Sequence, residues 1–456
     1  MVTFQDLLSV GQNDKDRAEF VLGAVNAFQT TELYKTARDA DAYYRHRNPT
    51  IMRAQRIVYN MMGEATPDMF RPNHKIPSRY YNYFITQEIQ YLLGNGCLFS
   101  DDVNKDEVLG IDFDTKIQLA ARHSLNGGVA FGFWNLDHLE VFPIYSEDEP
   151  SFCPLYDEET GALRAGVRWW RMDADKPLRI TLYEEDGITE YIQRKSEDIT
   201  VLTQKSPYKY RIERSEASGV AIYGDGNYST LPIYPMYNEN RQSELVGGRE
   251  VIDAYDLMVS GLVNNTDEGN LLYWVLKNAN AMDEEDDAEF LNRLRRTHVA
   301  HANGDDGVGV EHEVVEVPVA ASEAAIEHLR SQLFDDFMAL DVKNIASGAA
   351  TATQIRAAYE PLNQKASKLE YQILEFMRGI LPLAGVDEMP TFRRDIIANQ
   401  TEEIQNILAA AQYLDADTVT MQLCGSLGLI DEADEIIAKR QEEEVGRYTE
   451  GDLTDE

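Results

Sequence analysis

The chain has 456 residues, of which 43% are hydrophobic, and 79 acidic side chains outnumber 42 basic ones, giving a formal net charge of −37. This length predicts two to four packed units, and the apolar content excludes an intrinsically disordered chain. The acidic balance argues against tight binding to nucleic acid and fits either plain solubility or a surface past which DNA moves without adhering.

Three helical regions are expected in the first hundred residues. Apolar residues spaced three and four apart predict a helix over residues 14–47. Asn48 and Pro49 end this helix, because proline displaces the residue before it from helical geometry. A second helix is predicted over residues 51–62, and a third over residues 79–96, where glycines follow the last apolar turn.

A sheet is expected near the middle of the chain. A helix over residues 113–128 closes with two glycines, and short strand-like runs then alternate with acidic, glycine-containing turns, as in an antiparallel meander. The runs are VAFGFW, LEVFPIY, GVRWWRM, LRITLYEE, ITEYIQ and KYRIER. Residues 231–240, which include two prolines, are expected to leave the sheet as an extended segment.

Two amphipathic helices are predicted to flank a compact insertion. One apolar stripe predicts a helix within residues 244–268. Residues 269–319 predict a strand, a short helix and a second strand. Residues 321–340 predict a returning helix with Ser322 as its N-cap. This order predicts a stalk with a small domain at its end.

The stretch IASGAATATQIRAAYEPL, residues 345–362, places small residues directly before the longest regular pattern in the chain. Apolar positions from Ile355 to Ile380 alternate at spacings of four and three, which predicts a helix about 40 Å long at 1.5 Å per residue. Pro361 is expected to bend it. Further helices are predicted over residues 398–445. The small residues fit either a flexible connector or a segment that needs clearance.

Searches for catalytic and cofactor signatures find none in the sequence. A phosphate-binding loop and a nucleophile elbow are both missing. The histidines and carboxylates between His298 and His312 lack zinc-protease and calcium-loop spacing, so an acidic surface turn is favoured over a metal site. Three scattered cysteines, Cys97, Cys153 and Cys424, predict buried free thiols in a reducing compartment. A protein without enzymatic activity, cofactor or metal is therefore expected.

The element order and several motifs resemble the portal proteins of tailed double-stranded DNA bacteriophages, particularly siphophages of Gram-positive hosts. The matching stretches are AYYRHRNPTI, YLLGNG, GVAFGFW, EVFPIYSED, REVIDAYDLMVSGLVNNTDEGN, VLKN and SGAATATQIRAAYEPL. Together they span roughly residues 40–445, although residues 50–75 depart from the pattern as an insertion. The resemblance implies an α+β, mainly helical portal fold with a wing, stem, clip and crown, which assembles into a ring.

The resemblance also implies a division of the chain into regions. These are the wing at 1–245, stem helices at 246–268 and 320–340, the clip at 269–319, the tunnel loop at 341–351, a long kinked helix returning to the wing at 352–397, crown helices at 398–445 and an acidic tail at 446–456.

The implied function is a ring of about twelve subunits at one capsid vertex of the virion, assembled in the host cytoplasm, through which DNA is packaged and ejected. Its implied partners are further copies of the chain, the major capsid protein, terminase, the head-completion adaptor and double-stranded DNA bound without sequence specificity. No membrane or cofactor is implied. DNA-facing residues of the tunnel loop would be Lys343, Asn344, Ser347, Gly348 and Thr351.

The clip would dock its partners through Arg293, Arg295 and Arg296, although a solvated helix face explains these arginines equally well. Two other functions remain as alternatives: another head–tail connector or minor head protein, and a cytoplasmic nucleic-acid-processing enzyme. Connectors are generally shorter and lack the stalk arrangement. An enzyme of that class requires clustered carboxylates or a phosphate loop, so the portal interpretation is favoured.

Overall fold

A computed structural model of the chain combines helices with small antiparallel sheets, and the expected mixture of helix and strand is confirmed. The structure describes residues 2–59, 64–68, 71–100, 103–195, 197–209, 211–215, 219–223, 226–269, 273–277, 309–313, 319–343, 352–394, 400–427, 429 and 432–441.

The helices begin at polar caps where the sequence provides them. Asn13 and Thr31 accept hydrogen bonds from the first turns of the second and third helices, and Asn48 does so for the fourth. The described helices are α1 (Phe4–Ser9), α2 (Asp14–Gln29), α3 (Glu32–Tyr44), α4 (Pro49–Arg53), α5 (Tyr80–Leu93), α6 (Lys105–Val108), α7 (Phe113–Gly127), α8 (Arg249–Gly269), α9 (Val319–Asp336), α10 (Ala352–Ile380), α11 (Gln400–Ala410) and α12 (Ala416–Leu427).

The strands pair antiparallel throughout. They are β1 (Ile57–Tyr59), β2 (Ala65–Pro67), β3 (Val129–Asn135), β4 (His138–Pro143), β5 (Ser151–Tyr156), β6 (Leu163–Trp170), β7 (Leu178–Glu184), β8 (Gly187–Gln193), β9 (Thr200–Ser206), β10 (Arg211–Ser215), β11 (Gly219–Tyr223), β12 (Ile233–Tyr237), β13 (Tyr273–Lys277) and β14 (Gly309–Glu313). Strands β5 to β9 form a meander in chain order, and a second sheet has the order β12-β3-β4. The other strands form the hairpins β1–β2, β10–β11 and β13–β14.

Strand β3 lies between two hydrophobic clusters. Val129, Phe131 and Phe133 point into a cluster that includes α2 and the five-stranded sheet, whereas Trp134 belongs to a cluster built by α5, α7 and α10. Alternate residues of a strand face opposite sides of its sheet. The uninterrupted apolar sequence of β3 therefore serves both clusters.

Helix α10 packs closely on the second sheet because two glycines make room for aromatic rings. A Cβ atom added to Gly132 on β3 would collide with the ring of Phe376 on α10. One added to Gly379 on α10 would collide with the ring of Tyr234 on β12. The ring of Phe376 therefore packs over Gly132, and the ring of Tyr234 packs over Gly379. These two contacts hold α10 against the sheet.

Several predicted elements differ from the structure. Residues 14–47 form two helices instead of one, because the chain leaves α2 at Thr30 and Thr31 caps α3. The helix predicted over residues 51–62 is wrong: among its described residues, 51–59, the helix Pro49–Arg53 ends at Arg53 and β1 follows it. Residues 233–237 form strand β12 by pairing with β3. Strands β5, β9 and β11 were not predicted.

The returning helix α9 begins at Val319, so Ser322 lies within its first turn and is not the N-cap. It ends at Asp336 instead of residue 340, because Met338 adopts a left-handed conformation with φ 51°. The Ala339 amide then donates to the Phe334 carbonyl oxygen at 2.9 Å, which closes the helix end. The expected helices over 79–96, 113–128 and 353–379 are confirmed with small differences at their ends.

Cys97, Cys153 and Cys424 are buried free thiols, as expected. In the described part of the chain, no helix combines the length and apolarity required to cross a bilayer.

Helix α10 runs through Pro361 and ends at Ile380, where a short 3-10 turn, Leu381–Ala384, follows. The bend expected at Pro361 stays a prediction.

We predict that Gly132→Ala lowers the free energy of unfolding by about 1–3 kcal/mol, because the added methyl must displace Phe376 from a packed core. Gly23→Ala is the matched control. Nothing lies within 4 Å of a Cβ at Gly23, and alanine favours a helix interior by about 0.5–1 kcal/mol over glycine. Chemical denaturation of both variants measures the difference. Equal stabilities would show that the close contact between α10 and β3 is absent.

Candidate functional site

The candidate site is the base of the segment at residues 341–351, which connects α9 to α10. Among the residues predicted to face DNA, only Lys343 is described. The others, Asn344, Ser347, Gly348 and Thr351, lie outside the described residues, as do the predicted docking residues Arg293, Arg295 and Arg296. The site is therefore built from the residues that anchor the segment.

The first anchor is Gln87 on α5, which holds the backbone of Leu340. The Gln87 side-chain amide donates to the Leu340 carbonyl oxygen at 3.1 Å, and its own carbonyl oxygen accepts from the Leu340 amide at 2.9 Å. The same amide also donates to the Tyr83 hydroxyl at 3.0 Å. Both backbone groups of Leu340 are thus satisfied by one side chain, which fixes where the chain leaves α9.

The second anchor is a charged cluster around Arg330 on α9. Arg330 donates to Asp341 at 2.7 Å and to Glu327 at 3.0 Å, and its guanidinium lies 4.8 Å from the centre of the Phe334 ring. The hydrogen bond to Asp341 raises the pKa of Arg330 above its ordinary value. Asp341 also accepts from the backbone amide of Lys343 at 3.1 Å. One carboxylate therefore links α9 to the start of the segment.

The third anchor joins the two ends of the segment. Leu340 before it packs in one buried cluster with Ile355, Tyr359 and Leu362, which follow it on α10. Their apolar spacing was the pattern that predicted the long helix. Because these side chains cover one another, the segment begins and ends at a common support.

A buried ion cluster lies on the same helix. Lys365 of α10 contacts Glu88 of α5 and Glu244, each at 2.9 Å. Glu244 also accepts from the side-chain amide of Asn238 at 3.0 Å. Glu244 lies in the short segment that leads into α8 at Arg249, so the cluster joins α5, α10 and the entry to α8.

The pKa values of the cluster follow from burial and from two carboxylates sharing one ammonium. Burial by itself would lower the pKa of Lys365, but Glu88 and Glu244 together hold it above its ordinary value. Burial raises the pKa of Glu88 to about 6 despite the attraction of Lys365. Burial acts in the same direction on Glu244, yet Lys365 and Asn238 leave its pKa below the ordinary value. One ammonium faces two carboxylates, so one negative charge is not balanced. Glu88 is the carboxylate whose ionised form is less well stabilised.

Two motifs that are distant in the sequence meet at the start of α8. Asn48, in the stretch AYYRHRNPTI, donates to Asp253 at 2.9 Å and to Asp256 at 2.8 Å, both in the stretch IDAYD. Tyr43 and Thr50 also donate to Asp253, at 2.5 and 2.8 Å. The two carboxylates therefore hold the α3–α4 corner on α8.

The contacts described above anchor the start of the segment between α9 and α10, and the ion pairs connect helices to one another. Among the described residues, no group of three or more histidine, cysteine or carboxylate side chains could hold a metal ion. Residues 298–308 of the tested metal stretch lie outside the described residues, and only the backbone of residues 309–313 is described, so that expectation stays a prediction.

Sequence reasoning missed Gln87, Arg330 and Lys365. A signal existed for Lys365, because it lies three residues after Leu362 and four before Leu369, on the apolar stripe of α10. A lysine in that position requires a buried counter-charge. No comparable signal identifies Gln87, whose partner is a backbone segment 253 residues away.

Comparisons with known proteins give consistent results. A family model described as phage portal protein, SPP1 Gp6-like, matches residues 29–444. The portal protein of Bacillus phage SPP1 is 23% identical over 447 residues, which cover 91% of this chain and 85% of that protein. The portal protein of Clostridium phage phiCD119 is 22% identical over 398 residues, covering 80% and 83%.

A solved structure, the neck of a native GTA particle computed with C12 symmetry, is 10% identical in sequence. It covers 76% of this chain and 90% of its own, with a TM-score of 0.35, which is too low to establish a shared fold.

We predict that Lys365→Met lowers the free energy of unfolding by about 3–5 kcal/mol, because it leaves two carboxylates facing each other without their buried counter-charge. Lys368→Met is the control on the same helix. Lys368 also meets a carboxylate, Glu239, at 2.9 Å, but the lysine is 55% exposed against 11% for Lys365. Its loss should cost less than about 1 kcal/mol. Similar losses in the two variants, measured by denaturation, would contradict the role of burial.

The raised pKa of Glu88 predicts a pH effect. The folded state holds the proton more tightly than the unfolded state, so this group's contribution to stability falls as pH rises from 4.5 to about 6. Glu88→Gln cannot titrate. Relative to this variant, the wild type should lose about 1 kcal/mol across that window and about 2 kcal/mol in total over a wider pH range, at 1.36 kcal/mol per pKa unit. Denaturation at several pH values tests this, and parallel profiles would rule it out.

Proposed function

The chain belongs to the SPP1 Gp6-like family of phage portal proteins, and from this premise we propose that it assembles into a closed ring of about twelve copies. Double-stranded DNA passes through the axial channel of this ring, at one vertex of the capsid, during packaging and ejection. The match over residues 29–444 is the observation that carries the proposal. It spans both helices of the stalk and the segment between α9 and α10.

The packing of the stalk supports this function. Helices α8 and α9 contact each other, and the antiparallel pair β13–β14 lies between them in the sequence. We propose that these elements correspond to the stem, with residues 269–319 as the clip. Residues 1–245 with 352–397 would form the wing, and residues 398–445 the crown.

Residues 341–351 are proposed as the loop that faces DNA. Its two ends share the buried support of Leu340, Ile355 and Tyr359, which suits a segment that must hold its place while a polymer moves past it. Lys343 and Asn344 would contact phosphates, and small residues such as Gly348 would leave clearance near the axis. Each copy would make only a weak contact with DNA, because the DNA has to slide through the ring.

The remaining assignments concern partners. We propose that the clip, with Arg293, Arg295 and Arg296, docks terminase and afterwards the head-completion adaptor, and that the wing meets the major capsid protein. The role is structural, without catalysis or a cofactor. The net charge of −37 would give DNA a largely repulsive channel wall.

The mass and symmetry of the purified chain test the ring. Native mass spectrometry with negative-stain imaging should find a closed ring of about twelve or thirteen copies with a central hole. A globular particle without a stalk, at all salt and protein concentrations, would overturn the proposal.

We predict that Lys343→Glu leaves ring assembly unchanged and reduces the DNA packaged per particle, because the substitution places a negative charge where phosphates pass. Lys176→Glu is the control, since Lys176 is 59% exposed in the turn between β6 and β7. Complementation of a portal-deficient phage, scored as packaged DNA, gives the readout. Equal packaging in both variants would exclude Lys343 from the channel.

A further inference from the structure

A basic surface occurs in this acidic chain. We call residues 52–57 and 73–79 the basic strap. These thirteen residues contain four lysine or arginine side chains and no carboxylate, whereas the whole chain has 42 basic against 79 acidic residues. Such a local reversal of charge marks a surface suited to an acidic partner.

The strap is held in place by a polar row on α8. Asp256, Ser260 and Asn264, spaced four residues apart, accept backbone amides of the strap at 2.9, 3.1 and 2.6 Å. The Arg56 guanidinium donates to Asn265 at 3.3 Å. The Lys75 ammonium joins the two halves of the strap by donating to the Met52 carbonyl oxygen at 2.5 Å. The strap therefore presents its remaining side chains from a fixed backbone.

The remaining side chains include exposed cationic and apolar groups beside the neutral polar Gln55 and Asn73. Arg53 and Arg79 are exposed, and neither pairs with a carboxylate within the described part of the chain. Beside them, Met52 is 42% exposed, Ile57 58% and Ile76 36%. Arginine, methionine and exposed aliphatic side chains are the composition of a protein interface.

A cleft adjoins the strap at the junction of α8 and α9. It has a volume of about 560 Å³. An apolar side is formed by Leu262, Val263 and Val319, and the polar border consists of His74, Thr266, Asp267 and Glu323, with His74 contacting Asp267 at 3.2 Å. Val263 is 38% and Val319 40% exposed. The cleft could receive an apolar side chain of a partner that also neutralises the strap.

We propose that the basic strap, with this cleft, docks an acidic surface of a second copy of the chain. The proposal rests on the ring proposed above, in which each copy offers one patch to a different patch of its neighbour. A chain of net charge −37 supplies the complementary carboxylates. DNA that slides past the strap would leave the exposed aliphatic side chains in water. A second copy of the chain would bury them, so their presence favours a protein partner over DNA.

The test compares two double variants with equal change in charge. Met52→Asp with Arg53→Glu alters the strap. Arg171→Glu with Met172→Asp alters the turn between β6 and β7, where Met172 is 89% exposed. Native mass spectrometry across a dilution series gives the subunit concentration at half-assembly. The strap variant should raise it at least about tenfold, and the control should change it less than about twofold.

Three results would overturn the proposal. If both double variants assemble like the wild type, the strap is not an interface, although the ring stands. If the strap variant assembles normally but loses binding to a short DNA duplex, the strap serves nucleic acid. If the wild type itself forms no ring, the proposed function fails and this inference fails with it.

If the strap variant misfolds, cross-linking of the wild type tests whether the strap contacts a second copy. A carbodiimide joins the Lys75 amine to a carboxylate as an amide when the two are in contact. In rings mixed from ¹⁴N- and ¹⁵N-labelled copies, the Lys75 peptide should link to an acidic peptide of the other label. Links confined to one label would overturn the proposal.

Discussion

The buried contact of Lys365 with Glu88 and Glu244 determines where the helices of this chain can lie. The cluster connects α5, α10 and the segment that leads into α8, and removing Lys365 leaves two carboxylates without their counter-charge in the interior. The start of α8 is fixed further by Gly248, where a side chain would collide with the Phe337 ring. The position of α8 thus depends on a charge balance in the protein interior.

The body itself is organised by strand β3, which belongs to two hydrophobic clusters at once. Its apolar run VAFGFW was sufficient to predict a strand. The run could not reveal that Gly132 would admit Phe376 while Phe131 and Phe133 pack on the opposite side. Which element covers each face of a strand is decided by contacts between residues far apart in the sequence, and these contacts are not encoded in local spacing.

The same distinction explains the successes and failures along the chain. The stripe from Ile355 to Ile380 predicted α10 because helix periodicity is local. Residues 51–62 were predicted as helix, but residues 57–59 pair with β2 and Arg56 donates to Asn265 of α8. The local sequence carries no sign of either contact. The motifs around Asn48 and Asp256 carried the family resemblance separately, and the structure explains both by a single hydrogen-bonded corner. At the candidate site, composition indicated small residues but could not indicate Gln87 as their anchor.

The double hydrogen bond between Gln87 and Leu340 has a mechanical consequence. A tensile load applied to the chain beyond residue 343 reaches Leu340, where it is divided between α5 through the amide pair and α10 through buried packing. Asp341 passes a further share of the load to α9 through its ion pair with Arg330. In engineering terms the described start of the segment is a clamped support, held at once by side chains of α5, α9 and α10.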